Sequence, residues 1–157
     1  MIRITNSRFQ NKKGFTLIEM LIVISIIGIL ASIVLVGLGA FRARGRDTRR
    51  IADLRGNQGA LELYYTKFQG YPAGGIDSWE SMSQAIVNGG VGVNNISNDP
   101  LAPSRNYTYG VSSDQQMYVL MAALEDSSHP SLKDDVDGTI FGVNCDDSPS
   151  PNYCVRL

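Results

Sequence analysis

A run of 22 uncharged residues near the N-terminus constrains this chain more than any other feature. It extends from Met20 to Phe41. As an α-helix it would be roughly 33 Å long, about the thickness of the hydrocarbon core of a bilayer. The residues that follow are polar and rich in Gly, Ser, Asn and Asp. The sequence therefore predicts one membrane-inserted helix and one small soluble domain.

Charged residues are segregated along the chain. Residues 1–14 hold four basic residues and no acid, residues 42–55 hold six arginines and two aspartates, and the chain from residue 57 onward holds four basic and 12 acidic residues. This pattern defines a basic tip, an arginine collar (residues 42–55) and an acidic head. An acidic head argues against nucleic-acid binding by that domain, because phosphates would be repelled.

The segment before the apolar run differs from an ordinary secretory signal. Such a signal has a short apolar core followed by small residues at the cleavage site. Here the only small residue at a polar–apolar border is Gly14, which precedes the run. Cleavage at that point would remove the basic tip and keep the apolar helix.

The stretch KKGFTLIEMLIVISIIGILASIV, which begins at Lys12, resembles the N-terminus of type IV pilins and of the related type II secretion pseudopilins. The resemblance implies that a dedicated membrane peptidase cleaves between Gly14 and Phe15 and that the new Phe15 amine is methylated. It also implies that the helix is stored in the inner membrane, with the head outside the cytoplasm. An inner-membrane assembly platform would then extract it into an extracellular or periplasmic filament.

Glu19 is the one acid close to the apolar run. A carboxylate near the bilayer interior costs about 2.5–3.5 kcal/mol on insertion scales, so it needs a partner. After cleavage, the Phe15 amine would lie one helical turn from Glu19 on the same face. The resemblance implies that Glu19 pairs with the amine of a neighbouring subunit and so sets the axial register. The alternative is an interfacial glutamate that only meets headgroups.

The arginine collar has two interpretations. Its core, RARGRDTRR, could be a nucleic-acid patch, but it has no interleaved aromatic residue and directly follows the predicted membrane segment. Contact with membrane lipid or with other subunits is therefore favoured. One hypothesis is that these arginines meet acidic head residues of a neighbour in a filament.

The remaining sequence predicts a pilin-like α+β fold, with a long N-terminal helix packed on a small antiparallel sheet. Apolar residues recur at helical spacing as far as Phe68, and Gly70 and Pro72 end the helix. Asp77 and Glu80 resemble a capping box for a short second helix. Three β-branched or aromatic runs are expected to form the sheet: 107–111, 116–124 and 139–143. The expected segments are a cleaved leader (1–14), a transmembrane and filament-core helix (15–41), an amphipathic helix (42–70) and a globular head (71–157).

Two cysteines, Cys145 and Cys154, lie close together near the C-terminus. Nothing nearby supplies further ligands for zinc, so a disulfide in an oxidising compartment is expected, with two reduced thiols as the alternative. The pair resembles the C-terminal disulfide loop of many type IV pilins. The Asp-Pro turn and the YVLMAALE strand instead resemble the major pseudopilin of type II secretion. Pilus and secretion pseudopilus therefore both remain open.

The stretch KDDVDG gathers Asp134, Asp135 and Asp137 before a glycine. Hard cations bind several oxygens at once, and such a loop supplies them. The stretch is not an EF-hand, because Lys133 and Asn144 stand where acids are required. Major pseudopilins carry a calcium site in a late loop, so the resemblance implies calcium here. A solvated acidic turn is the alternative.

The sequence predicts a structural subunit that polymerises with itself and with other pilins or pseudopilins. It predicts no enzyme, because the chain has one histidine and contains no GxSxG, phosphate-binding glycine loop or HExxH motif. An alternative from another class is a single-pass membrane-anchored binding protein that never polymerises.

Overall fold

The computed structural model describes residues 14–74 and 79–157, without the side chains of residues 35–37. The predicted leader up to Lys13 and the predicted capping residue Asp77 lie outside the described residues. The chain divides into two compact units at the bond between Gly39 and Ala40. We call the second, Ala40–Leu157, the head unit.

Helix α1 extends from Leu17 to Phe68, 52 residues in all. Every described residue between Gly14 and Gly39 is exposed. By length and composition this helix could cross a membrane, as the uncharged run predicts. The exposed apolar side chains of this N-terminal part are what lipid or neighbouring helices would cover.

Within the head unit, the predicted apolar stripe of α1 packs on the core over its middle part. Leu54 and Leu61 are fully buried, whereas Tyr65 is partly buried and Phe68 is 48% exposed. The helix ends at Phe68, and Gln69, one residue before the predicted Gly70, adopts a left-handed φ of 56°. The Gln69 N–H still bonds to the Tyr65 carbonyl, so the last turn is closed.

The short second helix is confirmed. Helix α2 extends from Trp79 to Asn88, and it buries Trp79, Met82 and Ile86 against the core. Gly90 follows with a φ of +60°, which a residue without a Cβ adopts at little cost. A 3₁₀ turn, Pro130–Lys133, lies later in the head unit.

The head unit contains a three-stranded antiparallel sheet in the order β1-β2-β5 and a separate hairpin of β3 and β4. The strands are β1 (Thr108–Val111), β2 (Tyr118–Ala123), β3 (Thr139–Ile140), β4 (Val143–Asn144) and β5 (Asn152–Arg156). A long helix followed by a small antiparallel sheet confirms the predicted α+β class of fold.

The prediction that residues 139–143 form the third strand of the sheet is wrong. Phe141 and Gly142 both have positive φ, 48° and 83°, so the chain reverses there and forms a two-residue hairpin turn. The third strand is β5, which pairs with β2 from Val119↔Arg156 to Ala123↔Asn152. Tyr153 and Val155 of β5 enter the main core.

Two apolar clusters hold the head unit together. The main core lies between α1, α2 and the sheet, and its fully buried members include Leu54, Leu61, Met82, Ile86, Tyr109 and Leu120. A smaller cluster lies between the sheet and the hairpin and contains Val119, Val143, Cys145 and Cys154. Cys145 and Cys154 form the predicted disulfide, which joins the hairpin to β5.

Gly110 allows the hairpin to lie flat on the sheet. A Cβ at this position would stand 2.8 Å from Val143 Cγ2 and 3.2 Å from the Phe141 carbonyl oxygen. Real side chains do not approach so closely, so only glycine fits here.

Candidate functional site

The N-terminal turn of α1 holds Glu19 in a capping box with Thr16. Thr16 stands immediately before the first helical residue, and both its N–H and its hydroxyl donate to Glu19 Oε2, at 2.7 and 2.6 Å. The Glu19 N–H donates in return to Thr16 Oγ1, at 3.3 Å. The carboxylate is therefore fixed at the positive end of the helix dipole. Thr16 was not predicted as a partner of Glu19, although Thr-x-x-Glu is the sequence pattern of a capping box.

The predicted cleavage site lies just outside this turn. Gly14 and Phe15 precede the helix, and Phe15 is 78% exposed. A peptide bond outside a helix can adopt the extended form that a peptidase requires. The structure thus puts Gly14, Phe15 and Glu19 within one short exposed segment, while the pairing of Glu19 with a neighbour stays a prediction.

The arginine collar is mostly bound to acids of its own head unit. Arg50 is completely buried, and its Nε donates to Asp99 Oδ2 at 2.6 Å. Its Nη1 donates to Asp47 Oδ1 at 2.6 Å and to Glu125 Oε1 at 2.7 Å. One guanidinium therefore joins α1 to two loops that are distant in sequence.

Asp47 completes this arrangement from the other side. It is also fully buried, and it accepts the backbone N–H groups of Glu125 and Asp126 at 2.9–3.1 Å. Arg46 adds two hydrogen bonds to Glu125. We call this set the arginine clamp; its members are Arg46, Asp47, Arg50, Asp99 and Glu125.

The clamp corrects the interpretation of the collar. Contact with lipid or with a neighbouring subunit is wrong for Arg50, which is buried, and Arg46 is also engaged within the head unit. Two further arginines, Arg44 and Arg49, are paired at the surface, with Asp126 at 3.2 Å and Asp53 at 3.6 Å. The basic sequence count therefore overstates the free positive charge of this region.

Hydrogen bonds from Arg46, and then from Arg50, lower the pKa of Glu125 to about 2, although its partial burial acts to raise that pKa. Burial alone would raise the pKa of Asp99, but the hydrogen bonds from Arg50 and from the Leu101 N–H, together with the nearby arginine charges, lower that pKa. Both carboxylates are thus held in the charged form by the guanidinium groups around them.

We expect the free energy of unfolding of the head unit to fall as the pH drops from about 4.5 towards 2. The unfolded chain protonates Glu125 near 4.5, whereas the folded chain does so only near 2, so this contribution is complete above 4.5 and lost below 2. Urea denaturation of the full chain in micelles, followed by the fluorescence of Trp79, measures it. Glu125→Gln should be less stable at neutral pH and decline less over this window.

The exposed Glu80 supplies the control for that experiment, because it bonds to Gln84 and takes no part in the clamp. Glu80→Gln should decline with pH as the wild type does. If Glu125→Gln and the wild type declined in parallel, Glu125 would not be the group that titrates.

The late acidic loops bring together a set of carboxylates that differs from the predicted one. Oxygens of Asp135, Asp137 and Asp147 lie within 4.8 Å of one another, whereas Asp134 is exposed and outside the group. The predicted ligand Asp134 is thus replaced by Asp147. The sequence shows that Asp146 and Asp147 are acidic, but only the fold of the disulfide-linked loop brings Asp147 beside Asp137.

Asp135 has a mixed environment within this group. Its Oδ2 accepts the Cys154 N–H at 2.8 Å, while its buried Oδ1 has no hydrogen-bond partner among the described residues. Burial, and then the charges of Asp147 and Asp137, raise the pKa of Asp135. Burial and neighbouring acids also raise the pKa of Asp147. Close carboxylates with an unsatisfied oxygen are chemically suited to a hard cation.

Comparisons with known proteins bear on the N-terminal region first. The family model described as "Prokaryotic N-terminal methylation motif" matches residues 9–35. The chain is 41% identical over 80 residues to fimbrial protein EcpC of Eikenella corrodens, which covers 51% of this chain and 50% of that protein. No solved structure matches.

Two further relatives represent the two alternatives that the sequence left open, a secretion pseudopilus and a pilus. The chain is 36% identical over 63 residues to type II secretion system core protein G of Klebsiella pneumoniae, covering 40% of this chain and 45% of that protein. It is 35% identical over 75 residues to type IV major pilin protein PilE of Neisseria gonorrhoeae, covering 48% and 45%. The chain spans about half the length of these relatives. The motif and these likenesses agree with the resemblance to type IV pilins and pseudopilins that the stretch from Lys12 carries.

Proposed function

We propose that this chain is a structural subunit that polymerises through its N-terminal helix into a type IV pilus-like filament. The N-terminal methylation motif over residues 9–35 carries the proposal, because it overlaps the start of α1, whose described side chains are exposed as far as Gly39. In this proposal a prepilin peptidase cleaves between Gly14 and Phe15 and methylates the new amine. The chain itself carries out no catalysis.

Before assembly, the apolar run holds the subunit in the inner membrane, with the head unit outside the cytoplasm. An assembly platform in that membrane then passes subunits into the growing filament. The helices bundle into the filament core, where the apolar side chains are covered, and the head units form the outer wall. Partners are further copies of the chain and other pilins or pseudopilins.

Glu19 gives the polymer its register in this proposal. Within one copy the carboxylate accepts hydrogen bonds from Thr16, and these bonds lower the free-energy cost of holding the charge in the membrane. In the polymer the Phe15 amine of a neighbour supplies a full positive charge. Any other register leaves an amine and a carboxylate unpaired in apolar surroundings, at a cost of several kcal/mol.

Imaging of sheared surface filaments tests the proposal. We expect the filaments to contain this chain and to be absent from a strain that lacks it. Filaments of normal number without the chain would contradict a pilus subunit.

The likeness to core protein G of a type II secretion system favours a second candidate, a secretion pseudopilus. A periplasmic polymer and loss of protein secretion on deletion, without surface filaments, would identify that role. An unprocessed chain found as single copies in the membrane would instead indicate a membrane-anchored binding protein.

We also propose that the group of Asp135, Asp137 and Asp147 binds calcium. Its clustered carboxylates and the unpartnered Asp135 Oδ1 support this assignment. Titration calorimetry on the full chain in micelles should show binding of calcium and a raised melting temperature. Asp147→Asn should abolish both effects, whereas Asp134→Asn should keep them. No heat and no shift with millimolar calcium would end the proposal.

A further inference from the structure

A cleft of about 360 Å³ opens on the head unit beside α1, and none of the residues that line it belongs to the arginine clamp or to the acidic group. It is lined by Arg44, Thr48, Asp126, Ser128, His129 and Pro130. Arg44 is the third residue after Phe41, the last residue of the apolar run, so it lies about 4.5 Å further along the helix. The headgroup layer of a bilayer is about 5–7 Å thick on each side. If the apolar run spans the hydrocarbon, Arg44 follows it closely enough along the helix to reach the headgroups.

Arg44 provides the main donor of the cleft. Its side chain is 68% exposed, and only its Nε is engaged, with Asp126 Oδ2 at 3.2 Å. The two terminal nitrogens of the guanidinium have no partner among the described residues. A planar fork of this kind suits the oxygens of a phosphate.

Asp126 is the acid paired with Arg44, through Oδ2 only. The other carboxylate oxygen of Asp126 accepts the Ser128 N–H at 3.0 Å. Glu125 is held by Arg46 and Arg50 in the clamp, so it does not compete for Arg44.

Loop residues on the opposite wall supply further donors. The Nδ1 of His129 accepts the Ser131 N–H at 3.2 Å, so the neutral ring carries its proton on Nε2, which remains a donor. The Ser128 hydroxyl lines the same cleft. A guanidinium, an imidazole N–H and a hydroxyl thus surround one polar cleft.

We propose that this cleft binds the phosphate of a membrane phospholipid while the subunit is stored in the bilayer. The proposal goes beyond polymerisation and rests on the proposed function only in placing the apolar run in a membrane. The bound headgroup fixes the depth of the helix in the membrane. Extraction into a filament then has to break this contact.

Native mass spectrometry of the full chain in micelles tests the proposal, with phosphatidylglycerol, diacylglycerol and inorganic phosphate as probes. We expect phosphatidylglycerol to bind and diacylglycerol, which has no phosphate, to be lost. Arg44→Gln should weaken phosphatidylglycerol binding about tenfold or more, since it removes a charged donor. Asp126→Asn should bind at least as tightly as the wild type, because it removes the one negative charge beside Arg44.

Arg105→Gln is the matched control, because Arg105 is also exposed but lies outside the cleft and donates to the Ala123 carbonyl. Its lipid binding should be unchanged. Equal lipid binding by Arg44→Gln and the wild type would overturn the proposal, as would equal retention of diacylglycerol. Displacement of the lipid by millimolar phosphate would show an ion site rather than a lipid site. Loss of filaments by Arg44→Gln with lipid binding intact would assign the cleft to a second copy instead.

Discussion

Replacement of Arg50 by alanine is expected to lower the free energy of unfolding of the head unit by about 3–5 kcal/mol. Arg50 has no exposed surface, and its removal leaves the buried carboxylates of Asp47 and Asp99 without a counter-charge. The change also releases Glu125, which the same guanidinium holds. A loss of this size is a large part of the stability of a small domain.

Urea denaturation of the full chain in micelles measures this effect, with Trp79 as the only tryptophan and therefore the only such probe. Arg50→Lys should be intermediate, because an ammonium keeps the charge but cannot offer several donors in one plane. Arg105→Ala is the control, and an exposed substitution of this kind changes stability by about 0.5 kcal/mol or less. A loss below about 1 kcal/mol for Arg50→Ala would mean that the clamp does not stabilise the head unit.

Replacement of Glu19 by glutamine is expected to abolish filaments while leaving the subunit at its normal level in the membrane. Glutamine still accepts a hydrogen bond from Thr16, so the first turn of α1 is expected to form. It cannot balance the charged amine of a neighbouring Phe15, which would then be buried in the apolar core without a partner. Counting filaments per cell, with an immunoblot of the membrane fraction, separates the two effects.

Glu80→Gln provides the comparison for loss of one negative charge, because Glu80 lies in α2 of the head unit. Filament number should be normal in that strain. Normal filaments in the Glu19→Gln strain would contradict the proposed role of Glu19 in docking.

The long helix and the class of fold follow from patterns that are local in sequence. The uncharged run is recognised by its length alone. The apolar stripe around Leu54 and Leu61 is recognised by the helical period. The same is true of α2, whose buried residues Trp79, Met82 and Ile86 follow that spacing. The disulfide was also predictable, since its two cysteines are separated by only nine positions.

The arginine clamp could not be predicted, because its acids are distant from Arg50 in sequence. Asp99 and Glu125 lie 49 and 75 residues away, and only the fold brings them to one guanidinium. A run of arginines beside a membrane segment therefore indicated lipid or subunit contact, when most of its charge is used inside the head unit.

The third strand was misassigned for a similar reason. TIFGV has the composition of a strand, but Phe141 takes a positive φ that is rare for a bulky residue. The hairpin turn that results is held by packing on Gly110, a contact that sequence does not reveal. The replacement of Asp134 by Asp147 in the acidic group likewise depends on how this late loop folds back.

The most direct test of the account is the intact mass of the chain recovered from sheared filaments. We expect a chain that begins at Phe15, carries one methyl group on its amine and lacks everything up to Gly14. A chain that retains the segment from Met1 to Gly14, or that is absent from the filaments, would contradict it.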